Sequence, residues 1–438
     1  MKSASGVRWL LAALVVLGLA GRAMTGTVAY ARIAYVALFL LAGGYIWSLL
    51  SLRGVRLKRD ARLQRASMGD MFEEHFEISG APWPGSLWLE VVNHSPLPMA
   101  AGSRLLTGIG ARQRRFYSAR TLLTRRGVFP LGPTTIASGD LFGLFPVQRE
   151  FPASGTLVVL PMTVDIPTFP LPQGLLPGGK TIRQKTMDVT PHAAGIREYV
   201  PGDPMKRIHW PSTARRGRFM VKEFEQDPQA DIWLFLDAQR AVQAAQAEPS
   251  RAVADEGFLL RRPKVTLPCD TFEYAVSAAA SLARFFLAEK RAVGLACAAG
   301  RFTVVSGERG ERQMGKLLET LALLQPEGEM PLLGLVAMQA KLLPLGSGVV
   351  LITPAARPEL LIAVEDLQRR NLRPVVVLLK AETFGGADGA EMVAAGLLKR
   401  GVPVCQVGFG DDLGAGLSLP AVYFQRRYYP KSFFSMRA

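Results

Sequence analysis

The spacing of hydrophobic and polar residues changes along the chain. The first 52 residues are largely apolar, residues 66–165 hold short alternating runs, and after Asp227 fully apolar runs alternate with amphipathic stretches. Long apolar segments are typical of membrane-spanning helices, and alternation is typical of half-buried strands. Apolar strands between amphipathic helices indicate a parallel sheet covered on both faces. The pattern therefore predicts two transmembrane helices, a small all-β, sandwich-like domain and an α/β domain with a mostly parallel sheet.

The predicted transmembrane hairpin covers residues 1–52 and contains two apolar segments of unequal length. Residues 33–52 give 20 uncharged positions, enough helix to cross one bilayer. Residues 9–21 give only 13 uncharged positions. This first segment is therefore either a short spanning helix or the apolar core of a signal peptide. We expect the helical hairpin.

Basic residues follow the second apolar segment in a juxtamembrane segment, residues 53–65. It contains Arg53, Arg56, Lys58, Arg59, Arg62 and Arg65. Clustered Lys and Arg mark the cytoplasmic side of a membrane, so both interpretations of the first segment place residues 53–438 in the cytoplasm. Residues 1–65 carry +9 of the net charge of +16. An anionic membrane surface accounts for this excess, and we expect no nucleic-acid partner.

The remaining chain divides by composition. Turn clusters at 80–84 and 93–96 separate β-rich runs in the all-β domain, 66–165, and residues 166–195 form a Pro- and Gly-rich linker. The α/β domain covers residues 231–438. Its helical patterns span residues 271–287, 312–324, 358–370 and 390–399, and residues 240–268 are predicted to be a polar insertion. The three cysteines are isolated, which favours a reducing compartment over a disulfide framework.

A phosphate-loop pattern occurs at residues 174–181, GLLPGGKT. Such a loop needs a buried strand before it and a helix after it to bind phosphates. The preceding TFPLPQ contains two prolines, and the following IRQKTMDVTP has no apolar stripe. We therefore expect a linker here, with no bound cofactor. A nucleotide-binding enzyme that uses Lys180 and Asp237 is the alternative.

Asp237 follows the first apolar strand of the α/β region, where von Willebrand factor A-like domains place a D-x-S-x-S metal motif. Here the residues are Asp-Ala-Gln-Arg-Ala, so both serines are missing, and Arg240 adds a positive charge. The strand end at Thr353 lacks the expected acid. We expect a degenerate site that binds no metal, because the oxygen ligands preferred by magnesium are incomplete.

Charge, aromatic rings and turn residues concentrate in residues 196–230, the signature block. Its candidate site residues are Arg197, Glu198, Tyr199, Pro201, Gly202, Asp203, Arg207, His209, Trp210 and Arg215. They could form a structural clamp of ion pairs around a buried indole, or a docking surface for an acidic or phosphate-bearing partner. We expect the clamp, because acidic residues lie close by in sequence.

The signature block resembles that of the DUF58 family, a bacterial domain of unknown function, through REYxPGD, RxHW and the Ala214-Arg215 pair. Residues 125–133 and the SGDLFGLF run at 138–145 also resemble family motifs, with Leu141 where proline is usual. The resemblance implies a membrane-anchored protein with a von Willebrand factor A-like domain and no established catalytic activity. It also implies neighbouring genes for a MoxR-type AAA+ ATPase and a transglutaminase-like membrane protein.

Together, these features predict a non-enzymatic adaptor or assembly factor in the inner, cytoplasmic membrane of a bacterium. Its α/β domain would dock a MoxR-type AAA+ ATPase, and its β domain would contact a client or a neighbouring membrane protein. Two other classes stay open. One is the nucleotide-binding enzyme, and the other is a metal-dependent hydrolase whose site is assembled from distant residues.

Overall fold

The computed structural model describes residues 2–80, 83, 85–170, 193–200, 205, 208–224, 231–246, 266–344 and 346–418. The chain divides into two compact units. The first contains most of the described residues up to Met162, and the second contains most of those from Thr163 onward.

Two helices open the first unit, α1 (Lys2–Thr25) and α2 (Val28–Ser51). Both are long and apolar enough to cross a membrane by length and composition. They approach closely at Gly18, where a Cβ atom would lie 2.8 Å from the carbonyl oxygen of Tyr30. Small residues allow such close helix contacts within a membrane. The prediction of two N-terminal apolar helices is confirmed.

Ten strands follow the helices. They are β1 (Arg56–Ala61), β2 (Arg65–Ser67), β3 (Met71–Ser79), β4 (Ser86–Asn93), β5 (Arg104–Ile109), β6 (Arg114–Leu122), β7 (Gly127–Pro130), β8 (Thr134–Ser138), β9 (Val147–Phe151) and β10 (Thr156–Leu160). They form three sheets with the orders β1-β3-β6, β2-β10-β7 and β5-β4-β8-β9. The first and third sheets share one hydrophobic core that includes Phe76, Leu89 and Ile136. The β-rich region predicted after the helices is confirmed.

The β-rich region begins earlier than the sequence predicts. Strand β1 lies inside residues 53–65, which were expected to form a separate basic juxtamembrane segment. Every second residue of β1 is less exposed than its neighbours, so the inward row includes Arg59. Arg59 is paired there with Glu74 at 2.7 Å, and both side chains are almost fully buried. The Arg59 charge is therefore paired with Glu74 inside the β-rich region and is not available to bind a membrane surface.

From Ala193 onward the described chain forms a small hairpin and then an α/β region, most of which belongs to the second unit. The hairpin consists of β11 (Ala193–Glu198), α3 (Trp210–Arg216) and β12 (Met220–Phe224). The α/β region consists of β13 (Ile232–Leu236), α4 (Thr271–Ala288), β14 (Val293–Ala299), β15 (Arg301–Glu308), α5 (Glu311–Leu323), α6 (Leu332–Gln339), β16 (Gly348–Thr353), α7 (Glu359–Arg369), β17 (Arg373–Leu379), α8 (Ala390–Lys399), β18 (Val404–Val407) and α9 (Leu413–Leu417). Strand β11 starts within the predicted linker, whose residues 171–192 lie outside the described part.

The six strands β13 to β18 form one mixed sheet with the order β15-β14-β13-β16-β17-β18. Neighbouring strands are parallel except β15, which runs antiparallel to β14. Strands β13 and β16 are fully buried, as expected for central strands covered by helices on both faces. The chain leaves β13 toward β14 on one side and later returns to β16 on the other. The strand order therefore reverses between β13 and β16, and ligands of open α/β sheets bind beyond the carboxyl ends of the strands at such a point.

Candidate functional site

Two polar residues meet where the strand order reverses. Asp237 directly follows β13, and Thr353 closes β16. The two strands are in register, with Leu236 opposite Ile352. The Thr353 hydroxyl donates a hydrogen bond of 2.6 Å to Oδ2 of Asp237. Ligands of open α/β sheets bind at this position, so the pair lies where a functional group would be expected.

The Asp237 carboxylate is enclosed by protein donors. Its Oδ1 accepts a hydrogen bond of 3.0 Å from the backbone amide of Gln239, and only 2% of the residue is exposed. Burial raises the pKa of Asp237, while the hydrogen bonds from Thr353 and Gln239 and the nearby charge of Arg357 oppose that rise. Both carboxylate oxygens are therefore already used within the protein.

A chain of hydrogen bonds extends from Asp237 to the start of α4. The Gln243 side-chain amide donates to the Asp237 carbonyl oxygen at 2.9 Å, and the Thr271 hydroxyl donates to Oε1 of Gln243 at 2.7 Å. Thr271 also accepts from the Ala244 amide at 3.0 Å. On the neighbouring strand, burial and the Asp237 charge raise the pKa of Cys297 to about 12. That thiol stays protonated at neutral pH, so it is a poor nucleophile.

The residues around Asp237 do not fit an A-like metal centre. Gln239 and Ala241 occupy the two serine positions of the D-x-S-x-S motif. Among the described residues, no group of three His, Cys, Asp or Glu side chains is placed to hold a metal ion. The Thr353 hydroxyl is already hydrogen-bonded to the Asp237 carboxylate. The degenerate metal site stays a prediction, and we derive no chemical step through a metal here.

The signature block folds around the hairpin of β11 and β12. The Nδ1 atom of His209 lies 3.3 Å from the Ser212 amide and accepts its hydrogen bond, which caps the start of α3. The His209 amide donates to the Met220 carbonyl oxygen at 2.7 Å. Gly217 ends α3 with a left-handed φ of 64°, a conformation that glycine adopts without strain. His209 thus has a structural role in positioning α3.

Several side chains of this block face solvent. None of the seven residues of α3, all of which the structure describes, is buried. Trp210 at its start is 63% exposed, and Phe219 after its end is also exposed. Arg215 and Arg216 at its last turn are exposed as well. We call Trp210, Arg215, Arg216 and Phe219 the signature surface. The expected clamp around a buried indole is wrong for Trp210, because this ring lies in solvent.

The other predicted site residues have different positions. Glu198 accepts a bond of 2.7 Å from Arg218 in an exposed ion pair, and the Tyr199 ring packs edge-on against Phe219. The backbone of Arg197 pairs with Val221 in the hairpin. Pro201, Gly202, Asp203 and Arg207 lie outside the described residues, as does the phosphate-loop pattern with Lys180.

Sequence reasoning did not find the bond between Thr353 and Asp237. The two residues are 116 positions apart, so no local motif connects them. The available signal was that each is a polar residue at the end of a fully apolar strand. In a parallel sheet such strand ends lie at one edge. Asp237 and Thr353 are neighbours there because β13 and β16 pair.

Comparisons with known proteins match the chain to the same family that the signature block resembles. Residues 195–253 match the sequence model of a family described as "Protein of unknown function DUF58". The chain is also 24% identical over 211 residues to "Uncharacterized protein YeaD" of Bacillus subtilis (strain 168). The chain is therefore similar to DUF58 proteins, and the family model matches only residues 195–253. The YeaD alignment covers 47% of this chain and 45% of the relative, so the chain spans about half the length of that curated protein.

The DUF58 match includes both features described above. It begins in β11, passes through α3 and β12, and extends beyond β13 and Asp237. The signature surface and the Asp237 carboxylate therefore both belong to the DUF58-like segment.

Proposed function

We propose that the protein is a membrane-anchored, non-catalytic adaptor or assembly factor that works with a MoxR-type AAA+ ATPase. Its α/β region acts as a von Willebrand factor A-like domain and docks the ATPase through the signature surface. The β-rich region contacts a client or a neighbouring membrane protein, such as one of the transglutaminase-like type. The protein is located in the inner membrane of a bacterium, with its β-rich and α/β regions in the cytoplasm.

The sheet supports the A-like part of this proposal. Its order, β15-β14-β13-β16-β17-β18, has one antiparallel edge strand, and the DUF58 resemblance implies an A-like domain. Asp237 at the end of the first central strand has the position of the first motif residue. Because its carboxylate is buried and hydrogen-bonded, we infer that this domain binds its partner without a metal bridge.

The exposed Trp210 is the observation that carries the docking role. Tryptophan and arginine are the residue types most enriched among the energetic centres of protein interfaces. Here an exposed indole and two exposed arginines lie on one short helix. His209 and Gly217 fix the two ends of that helix, so the side chains are held ready for binding with little loss of conformational freedom.

The membrane location rests on the two N-terminal helices. Their length and apolar composition suit membrane spans. The basic residues after α2 favour a cytoplasmic orientation, although Arg59 no longer contributes to that count because it is buried with Glu74.

Co-purification of the full-length protein with the MoxR-type ATPase tests the proposal. We expect Trp210→Ala to lose the ATPase, because a central aromatic side chain is removed from the contact. Trp83→Ala is the matched control, since Trp83 is another exposed tryptophan but lies in the β-rich region. Retention of the ATPase by Trp210→Ala, or equal loss in both variants, would contradict docking through the signature surface.

A further inference from the structure

The loop between β8 and β9 contacts α2 well before the end of that helix. The Ser48 hydroxyl donates a hydrogen bond to the Phe145 carbonyl oxygen, and the Tyr45 and Phe145 rings meet edge-on at 5.6 Å. A Cβ atom on Gly44 would lie 3.5 Å from both Asp140 and Phe145. The loop, residues 139–146, therefore lies beside the third of α2 that is nearest the β-rich region.

The last turns of α2 belong to the β-rich region. Leu52 and Val55 are part of its hydrophobic core, and the Ser86 hydroxyl donates to the Ser51 carbonyl oxygen at 2.6 Å. Ser48 is buried as well. These residues cannot face lipid, so the membrane boundary must lie closer to the start of α2 than residue 48.

The remaining part of α2 still has the length of a membrane span. From Val28 to Gly44 it has about 17 residues, or roughly 25 Å of helix, which is near the lower limit for crossing a bilayer. Arg32 lies in the second turn of this segment, near the opposite interface, which its long side chain can reach by extending toward the headgroups. On α1, the Arg8 guanidinium lies over the Phe145 ring, 5.7 Å from its centroid. An arginine favours the interface over the hydrocarbon core. Arg8 therefore places the membrane interface at the level of Gly44 and of this loop.

The tip of the loop presents large apolar side chains at that level. Leu141 is 71% exposed and Phe142 is 62% exposed. The buried Asp140 holds the tip in place, because its carboxylate accepts bonds from the Phe142 amide at 3.0 Å and the Phe145 amide at 2.7 Å. Two apolar side chains held in water have no energetic advantage, whereas apolar side chains at the acyl boundary of a membrane are stabilised by burial.

We propose that Leu141 and Phe142 insert into the bilayer interface beside the α1–α2 hairpin. The partner is the lipid boundary itself, where headgroups meet acyl chains. The loop then provides a third membrane contact besides the two helices, and it fixes the height and tilt of the β-rich region on the membrane. This inference rests on the membrane anchoring included in the proposed function.

Spin labelling of the full-length protein in phosphatidylcholine–phosphatidylglycerol vesicles tests the inference. The buried Cys269, Cys297 and Cys405 are replaced by alanine, and a nitroxide is attached to Phe142→Cys. Leu63→Cys is the control, because Leu63 is also exposed but follows the end of β1 that is distant from α2. A six-residue strand spans about 20 Å. Collision of the label with oxygen, which concentrates in lipid, is compared with collision with a water-soluble nickel complex.

We expect oxygen collisions to dominate at position 142 and nickel collisions to dominate at position 63. Nickel access at 142 equal to that at 63 would overturn the insertion. Protection of the 142 label from both reagents would also overturn it, since a protein surface would then cover the tip. Flotation of the Leu63→Cys protein with the vesicles is measured in parallel. Failure to float would overturn the anchoring and the loop inference together, whereas flotation with a water-exposed 142 label would overturn the loop inference alone.

Discussion

The Thr353 hydroxyl donates to the buried carboxylate of Asp237 at 2.6 Å and joins the ends of the two central strands of the α/β sheet. The same hydroxyl oxygen accepts the Ala355 amide at 2.9 Å, so Thr353 also fixes the turn after β16. Asp237 accepts the Gln239 amide in the equivalent turn after β13. The Thr353–Asp237 contact therefore connects the two loops that follow β13 and β16, at the point where the strand order reverses.

Thr353→Val is expected to destabilise the protein. Valine keeps the shape of the side chain but removes the donor to Asp237 and the acceptor for Ala355, which leaves buried polar groups unsatisfied. Such a loss costs about 1–3 kcal/mol of unfolding free energy. Denaturant unfolding of the detergent-solubilised protein measures the effect. Thr353→Ser, which keeps the hydroxyl, is the control, and equal stability of the valine and wild-type proteins would contradict the role of this bond.

The stability of the protein is expected to depend on the ionisation of Asp237. Burial raises its folded-state pKa above the ordinary value of 3.8. A carboxyl group with a raised folded-state pKa stabilises the fold fully at pH values below its unfolded pKa, and this contribution is lost as the pH rises through the folded-state pKa. Asp237→Asn cannot ionise at this position. Its unfolding free energy should therefore increase relative to that of the wild type as the pH rises above about 4.

Unfolding of both proteins across a pH series checks this expectation. The difference between them should grow with pH and then become constant once Asp237 is ionised in the folded state. Parallel stability curves for the wild type and Asp237→Asn at every pH would show that the folded-state pKa of Asp237 is not raised.

Arg59→Met is expected to be strongly destabilising, because it leaves the Glu74 carboxylate buried without its partner. The two side chains form a bidentate pair at 2.7 and 3.0 Å, and Arg59 also donates to Asn93 and Thr134. Removal of one partner of a buried ion pair costs roughly 3–5 kcal/mol. The double variant Arg59→Met/Glu74→Met should recover much of this loss. If the double variant is as unstable as Arg59→Met alone, the lost stability comes from packing and not from the unpaired charge of Glu74.

The parts of the fold with a clear local pattern were predictable from the sequence. Helix α8 has the expected bounds, Ala390–Lys399, because its apolar residues follow one helical face without interruption. Strands β13 and β16 were expected because runs of apolar residues between helical patterns identify central parallel strands. Strand β15 was not predicted, since it is an edge strand whose residues are mostly exposed or half-buried.

Other features depended on residues distant in sequence. In the sequence, β1 looks like a basic tail. The burial of Arg59 depends on hydrogen bonds to Glu74, Asn93 and Thr134, which are distant in sequence and are not part of the local pattern. Trp210 was expected to be buried as part of a clamp, because acidic partners lie close by in sequence, but its exposure depends on which surfaces the fold leaves uncovered. The site at Asp237 was partly predictable: its position at a strand end was clear, whereas its pairing with Thr353 followed from the order of the strands.

Trp210→Ala is expected to change the unfolding free energy little, because the indole is mostly exposed and its loss leaves no internal cavity. Surface substitutions of this kind usually stay within about 0.5 kcal/mol. Trp233→Ala is the comparison, since Trp233 belongs to the buried core of the α/β sheet and its removal should cost about 3–5 kcal/mol. Thermal unfolding of the two variants measures the contrast. A large destabilisation by Trp210→Ala would favour a structural clamp over the docking surface.

Membrane orientation can be tested with a phosphatase reporter that is active only outside the cytoplasm. A fusion at Ala438 should be inactive, because Arg53, Arg56 and the basic residues after them follow the second helix on its cytoplasmic side. A fusion after Gly26, in the turn between α1 and α2, should be active, since that turn lies at the opposite end of both helices. The size of the Gly26 fusion separates the two interpretations of the first segment. A spanning helix keeps the full N-terminus, whereas a signal peptide is cleaved and shortens the product. Phosphatase activity at Ala438 would contradict the cytoplasmic location and, with it, docking of a cytoplasmic ATPase.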